Sequence, residues 1–195
     1  MTLDPTAQYA LAYALTTTAG LRGFLTLVVA SVAVHLGWIH PSSTFAWLGS
    51  DAATIVLAVF AVLEILADKF PGVDHAMQAV YFVARPVAAA ILVGATVHPS
   101  NTAELYAMMA AGGINALIVH GSASTARVAS TVSTAGLGNM ALSFIEDAVT
   151  AGGLLLAFFK PILAAAIALA FVITIVVIAR NTVARVRARA PRRDR

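Results

Sequence analysis

Hydrophobic residues occur in long runs along the chain, and Pro, Gly and polar clusters separate these runs. The apolar runs cover residues 8–36, 51–69, 77–97, 103–120, 137–159 and 161–180. A helix that crosses a bilayer needs roughly 20 apolar residues, which is close to the length of most of these runs. The pattern therefore predicts an all-α polytopic membrane protein in which residues 1–180 form one domain of about six transmembrane helices.

Two stretches do not fit a simple spanning helix. The first run, 8–36, is too long, and it is interrupted by six small or polar residues: Thr16, Thr17, Thr18, Gly20, Arg22 and Gly23. It is either a tilted helix or a broken one. The stretch 121–136 is rich in Ser, Thr, Ala and Gly and is too polar to face lipid. It could be an unwound or re-entrant segment whose backbone carbonyls line a cavity.

The composition supports a membrane protein. Hydrophobic residues make up 60% of the chain and charged residues only 11%, whereas soluble domains carry about 25% charged residues. The lipid bilayer must therefore be the main partner of the surface, and a soluble enzyme is excluded. The chain has no cysteine, so disulfides, thiolate metal ligands and cysteine nucleophiles are excluded as well.

The basic residues predict an orientation. Seven of the 12 Arg and Lys residues lie between Arg180 and Arg195, and the preceding 179 residues hold five basic and eight acidic residues. Basic residues concentrate on the cytoplasmic side of membrane proteins. We therefore expect 181–195 to be a basic cytoplasmic tail among anionic headgroups, and we expect no nucleic-acid partner. With six spans the N-terminus is cytoplasmic too, as are the connections 70–76 and 121–136, while Lys160 falls on the outer side.

A weak internal similarity raises the question of duplication. Arg85-Pro86 and Lys160-Pro161 are each followed by an alanine-rich segment, and each half of the chain has an early arginine. Three spans in each half would place the two halves in inverted orientation, as in many secondary transporters. The sequence leaves open whether the protein consists of two inverted three-helix repeats.

Charged residues within the apolar runs are the candidates for chemistry, since a charge at the middle of a spanning helix costs at least about 2.5 kcal/mol. Glu64 and Asp68 are four residues apart and share one helix face, and Lys69, Asp74 and His75 follow closely. Hard cations take oxygen ligands from such carboxylates. Alternatively, Lys69 neutralises Asp68, and the residues other than Glu64 lie among headgroups.

A second acidic pair, Glu146 and Asp147, lies inside another apolar run. Adjacent residues of a helix point about 100° apart, so one narrow pore can accept only one of the two. Either one carboxyl group is protonated, or arginines and cations neutralise both. A purely structural ion pair that joins two helices remains the alternative.

The natural counter-charges are the three arginines of the apolar region: Arg22, Arg85 and Arg127. Pro86 follows Arg85 and frees a backbone carbonyl in a helix. Asn115 and His120 are accessory polar groups near the end of the fourth run. A single histidine in such a place is more often a satisfied interface residue than a ligand.

One ordered set of residues resembles a known family. The set consists of Ala-Gly-Leu-Arg22, then Glu64, Asp68, Lys69, Pro71, Asp74 and His75, then Arg85-Pro86, then His120 with Arg127, then Glu146-Asp147. It is similar to a bacterial membrane family known as DUF4126, a domain of unknown function, over roughly residues 8–175. The resemblance implies a multi-pass protein of the bacterial inner membrane and brings no established activity.

The charge placement is also similar to that of small cation exporters of the lysine-exporter superfamily. These proteins have six spans in two inverted halves, and one branch of calcium/manganese exchangers carries an acidic motif with a lysine in each half. Here the segment from Glu64 to Lys69 is one residue longer than that motif, and Glu146-Asp147 lacks the lysine.

These observations lead to a functional prediction with alternatives. We expect a small transporter or exchanger, for a cation that could be divalent, with Glu64, Asp68, Glu146 and Asp147 as ligands or proton carriers. Translocation of an anionic or lipidic substrate by the buried arginines is one alternative, and a membrane scaffold locked by interhelical charges is another. An enzyme is not expected, because neighbouring carboxylates on one helix are poorly placed to activate water. Six short spans enclose little volume, so we expect a homodimer.

Overall fold

The computed structural model describes the backbone of residues 4–67, 69 and 71–189, with their side chains except those of 71–76 and 186–189. Seven α-helices and one 3₁₀ helix make up the described elements: α1 (Pro5–Leu21), α2 (Gly23–His35), the 3₁₀ helix (Ser43–Gly49), α3 (Asp51–Ala67), α4 (Pro71–Thr96), α5 (Thr102–Thr134), α6 (Leu137–Phe159) and α7 (Pro161–Arg189). The prediction of an all-α membrane protein is confirmed.

Within the described residues, four helical segments are long and apolar enough to cross a membrane: Met77–Thr96, Thr102–Thr134, Leu137–Phe159 and Pro161–Arg185. The 3₁₀ helix and α3 meet at an angle of 65° and would form a fifth span if they are counted together. The number of six spans, the inverted repeats and the cytoplasmic location of both termini stay predictions.

The first apolar run is broken at Arg22, which was one of its two predicted forms. Arg22 has φ −143° and ψ 89°, so α1 ends before it and α2 begins after it. The hydroxyl of Thr18 donates to the carbonyls of Ala14 and Leu15 in the last turns of α1. Such back-bonding bends helices, and Gly23 lets Arg85 approach the break, since a Cβ atom there would lie 3.2 Å from Cγ of Arg85. The break lies between two short apolar helices of 17 and 13 residues.

The prediction of an unwound or re-entrant segment at 121–136 is wrong. Helix α5 continues to Thr134 because its hydroxyl groups bond within the helix: Thr125, Thr131 and Ser133 each donate to the carbonyl four residues earlier at 2.9 Å. The connection to α6 consists only of Ala135 and Gly136, both with positive φ (51° and 89°). The predicted connection at 70–76 is largely helical as well, since α4 begins at Pro71.

Helix α1 is the central element of the bundle. It packs against α4, α5, α6 and α7, whereas α2 packs mainly on α3 and α4. A Cβ atom at Gly20 would lie 2.6 Å from Cβ of Val119 and 2.8 Å from the carbonyl oxygen of Ala116. Glycine is therefore what lets α1 approach α5 so closely, and this approach brings the arginine at the end of α1 into the interior.

The two similar Pro motifs lie in different places. Pro86 is inside α4, whereas Pro161 is the first residue of α7. The predicted basic tail begins as the end of α7, which continues through Arg189.

Candidate functional site

Arg22 projects from the break between α1 and α2 into the bundle, and its side chain is fully buried. Its Nε lies 2.7 Å from Oδ1 of Asp147, and one of its terminal nitrogens lies 3.8 Å from Oε2 of Glu146. The other terminal nitrogen donates to the hydroxyl of Ser143 at 2.9 Å and to its carbonyl at 3.3 Å. Arg22 therefore connects the helix break to both neighbouring carboxylates of α6.

The backbone on the other side of the same break is held by Glu64 of α3. One oxygen, Oε1, accepts from the amide of Gly23 at 3.0 Å, and Oε2 accepts from Phe24 at 3.0 Å and Leu25 at 3.3 Å. These amides belong to the first turn of α2, where they have no acceptor within the helix. The Glu64 side chain is buried, and Nε of Arg85 lies 3.4 Å from Oε1. A carboxylate thus occupies the N-terminus of a half-helix in the protein interior.

Arg85 joins this carboxylate to α5 and α1. One of its terminal nitrogens donates to Nδ1 of His120 at 2.8 Å and to the carbonyl of Gly20 at 3.3 Å. Its guanidinium group lies 4.5 Å from the ring centroid of Tyr81, one turn earlier on α4. His120 accepts through Nδ1 here, because an arginine can only donate. The histidine is therefore part of the charged network.

The two acidic residues of α6 have different partners. Arg127 of α5 binds Glu146 through both carboxylate oxygens, at 3.2 Å from Nε and 2.5 Å from a terminal nitrogen. Nζ of Lys69 lies 2.8 Å from Oδ2 of Asp147. Since neighbouring residues of a helix diverge by about 100°, Glu146 meets α5 and Asp147 meets Lys69, two residues after the end of α3, while Arg22 contacts both carboxylates. Both carboxylates are neutralised by cations, as one of the predicted alternatives required.

Of the four remaining predicted site residues, the structure describes the side chain of one. Asn115 lies apart from the charges: its amide nitrogen donates to the hydroxyls of Thr16 and Thr17 at 2.9 and 3.0 Å and joins α5 to α1. Asp68 and the side chains of Asp74 and His75 lie outside the described residues.

A metal centre is not assembled by the described side chains. Among them, no group of three or more His, Asp or Glu residues converges on one point. Glu64, Glu146 and Asp147 each contact at least one cationic side chain. A metal ion at any of the three would have to compete with a guanidinium or ammonium group that is already in place. The predicted metal set, which includes Asp68, stays a prediction.

Sequence reasoning missed a polar stripe on α6. The stripe consists of four buried residues on one helix face: Asn139, Ser143, Glu146 and Thr150. Their spacing of four, three and four residues is the spacing of one helix face, so the pattern could have been found around Glu146. Tyr81 was also missed, although it lies one turn before Arg85.

Two cavities adjoin the charged network. One of about 410 Å³ lies between α4, α5 and the start of α6, and Gln78, Phe82, His120, Arg127 and Asn139 are among its lining residues. The other, of about 360 Å³, lies between α1, α6 and α7 and is almost entirely apolar. Arg127 lines the first cavity, whereas Leu21 and Ala148, the sequence neighbours of Arg22 and Asp147, line the second.

Comparisons with known proteins give one finding. Residues 9–181 match the family described as "Domain of unknown function (DUF4126)". Neither the curated proteins nor the solved structures gave a match. Because the family match extends over most of the 195 residues, this helical membrane protein belongs to the DUF4126 family.

Proposed function

We propose that the protein carries a small anion across the bilayer, and that the broken helix at Arg22 is its anion site. The observation that carries the proposal is the position of Glu64, whose carboxylate binds three backbone amides at the start of α2. The N-terminus of a helix attracts anions, since its amides are unpaired and its dipole is positive there. Transporters place such half-helix N-termini against the anionic group of their substrate.

In this proposal Glu64 stands in for the substrate. Its carboxylate occupies the position of an anionic group, with Arg85 on one side and the start of α2 on the other. A proton on Glu64 would remove the negative charge, and an incoming anion would restore it. The site then carries one negative charge in either state, so we expect transport to be coupled to about one proton per monovalent anion.

The described contacts of the carboxylates favour an anion over the cation predicted first from the sequence. Glu64 lies 3.4 Å from Arg85, Asp147 lies 2.8 Å from Lys69, and Glu146 binds Arg127. Asp68 is not part of this comparison, because it lies outside the described residues. A cationic side chain beside each of the three carboxylates repels a metal ion.

Uptake into vesicles tests the proposal. The purified protein is reconstituted with a pH-sensitive dye inside, and chloride, nitrate, methanesulfonate or phosphate is added outside at fixed membrane potential. We expect at least one anion to enter together with protons. Glu64→Gln should abolish the proton signal, and Glu104→Gln should leave it unchanged. Glu104 is the matched control because it also lies in the first turn of a helix, α5, but outside the network.

Three outcomes would contradict the proposal. Uptake no faster than in protein-free vesicles for every anion would rule out this substrate class. Proton-coupled uptake that is equal in Glu64→Gln and the native chain would remove Glu64 from the mechanism. Uptake of Mn²⁺ or Ca²⁺ that depends on Glu146 would instead restore the cation hypothesis.

A scaffold is the second candidate, because the ion pairs join helices that are distant in sequence. Arg127 and Glu146 link α5 to α6, and Lys69 with Asp147 links the end of α3 to α6. If these pairs only lock the bundle, the charge-reversed double variant Arg127→Glu/Glu146→Arg should regain thermal stability relative to either single variant. A scaffold should also show no ion uptake in the vesicle experiment.

A further inference from the structure

Two threonines line the apolar cavity of about 360 Å³, and the hydroxyl groups of both already donate hydrogen bonds within α1. The hydroxyl of Thr17 donates to the carbonyl of Tyr13 at 3.1 Å, and that of Thr18 donates to Ala14 and Leu15. The rest of the wall is aliphatic, glycine or phenylalanine: Ala14, Leu21, Ala148, Val149, Gly152, Gly153 and Leu156 among them. An occupant of this space therefore gains from burying carbon and gains nothing from polar groups.

The cavity and the charged network involve neighbouring positions of the same chain segments. Leu21 and Ala148 line the cavity, and they are the immediate neighbours of Arg22 and Asp147. The Asp147 carboxylate is shared by two cations, with Nε of Arg22 at 2.7 Å and Nζ of Lys69 at 2.8 Å. An anionic group near Arg22 and Lys69 would find positive charge, whereas the remainder of the molecule would extend along an apolar wall.

The other side of the cavity reaches the lipid. Ile167 of the outer helix α7 lines it and is 51% exposed. The exposed surface of α7 is apolar, as Leu163 and Leu169 show, so a molecule dissolved in the bilayer could enter from this side. The volume is near the lower end of the range of about 300–1,000 Å³ for ligand pockets, and it suits one aliphatic chain better than two.

From these features we propose that the cavity holds the acyl chain of a single-chain amphiphilic carboxylate, a free fatty acid, whose carboxylate group takes the place of Asp147 on Arg22 and Lys69. The inference goes beyond the proposed function, because it adds a second anion position at Asp147 to the position that Glu64 occupies at the start of α2. It rests on one cavity that Leu21 and Ala148 line and on one ion-pair cluster at the adjacent residues Arg22 and Asp147.

Gly152 is an exposed residue that lines the cavity, so a larger side chain at this position should narrow it. A Cβ atom at this position would meet no atom within 4 Å, so a larger side chain would enter open space. Gly121 is the matched control, since a Cβ atom there also meets nothing within 4 Å and the residue lies on α5, away from the cavity. A leucine takes the space of several methylene groups. Each methylene lost from the bound chain weakens binding about fourfold.

The experiment uses photo-crosslinking in lipid vesicles. Dodecanoic acid with a diazirine near its chain end is compared with its methyl ester, and the labelled peptides are identified by mass spectrometry. In the native chain we expect the acid to label the cavity-facing parts of α6 and α7, and the neutral ester to label them far less. Gly152→Leu should lower this labelling about tenfold or more, Gly152→Ala should lower it less, and Gly121→Leu should not change it.

The outcomes separate this inference from the proposed function. Equal labelling by acid and ester, or labelling spread evenly over the lipid-facing surface of α7, would overturn the fatty-acid site and leave transport of small anions intact. Acid-selective labelling of the cavity in a protein without any Glu64-dependent proton signal would support the site and overturn coupled transport. Because the labelling map of the native chain is read directly, the test holds even if Gly152→Leu fails to fold.

Discussion

Replacing Glu64 by alanine removes the acceptor of three consecutive amides at the start of α2. Gly23, Phe24 and Leu25 donate to its two oxygens at 3.0, 3.0 and 3.3 Å, and Arg85 lies 3.4 Å from one of them. The first turn of a helix has no other backbone acceptor for these groups. Glu64→Ala should therefore destabilise the first turn of α2, directly after Arg22, more than any other part of α2.

The magnitude follows from the burial of these contacts. A buried donor left without a partner costs about 1–3 kcal/mol, and breaking a buried ion pair by removing one partner costs about 3–5 kcal/mol overall. If about 2–3 kcal/mol of this acts on the first turn of α2, its amides should exchange about 30- to 150-fold faster. Glu64→Gln keeps one carbonyl oxygen as acceptor and loses the charge, so its effect should be about half as large in free energy.

Hydrogen exchange measured by mass spectrometry in detergent or nanodiscs gives the exchange rates of individual segments of α2. The peptide that contains residues 23–25 should lose protection, while Thr26, whose amide bonds to the carbonyl of Arg22 at 3.0 Å, should lose less. Glu104→Ala is the control, because the first turn of α5 is capped by Asn101 instead. If folded Glu64→Ala protein exchanged residues 23–25 at the native rate, the capping role of Glu64 would be refuted.

Two further predictions concern packing and charge. Gly20→Ala should destabilise the protein by about 1–3 kcal/mol, because the new Cβ would lie 2.6 Å from Cβ of Val119, whereas Gly121→Ala should not; thermal unfolding in detergent measures both. Arg127→Met and Glu146→Leu should each lower stability by about 3–5 kcal/mol, and the double variant should lose clearly less than the sum, since it removes both buried charges. Unfolding titrations with a denaturing detergent give the coupling, and strictly additive losses would speak against the pair.

The all-α membrane fold followed from run length and composition, since a surface with 11% charged residues needs lipid as its solvent. The break at Arg22 was one of two predicted forms, and Thr and Gly around it are its local cause. The partner that holds the break open could not be predicted, because Glu64 lies about 40 residues further along the chain. Capping by a distant side chain leaves no periodic signal near the helix that it caps.

The wrong expectation for 121–136 has a physical reason. The abundance of Ser and Thr predicts a stretch that is too polar to face lipid. Each hydroxyl can however donate to a carbonyl one turn earlier and so hide its polarity, as Thr125 and Thr131 do. Which arginine pairs with which carboxylate was equally out of reach, since the pairing depends on how helices distant in sequence pack around α1. The helical spacing of Asn139, Ser143 and Glu146 is a local signal of the site in the sequence, and so is Tyr81 one turn before Arg85.

The break at Arg22 links the two halves of the charged network through one residue. Its neighbouring amides bind Glu64 of α3, and its guanidinium group binds Asp147 and Ser143 of α6. Rotation of α2 would require Glu64 to release these amides. The same rotation would move the backbone of Arg22, which carries the guanidinium group. In the proposed transport cycle, loss of the charge on Glu64 would therefore be mechanically connected to exchange at Asp147. Proton uptake on one side of α1 and anion exchange on the other would then be steps of one conformational change.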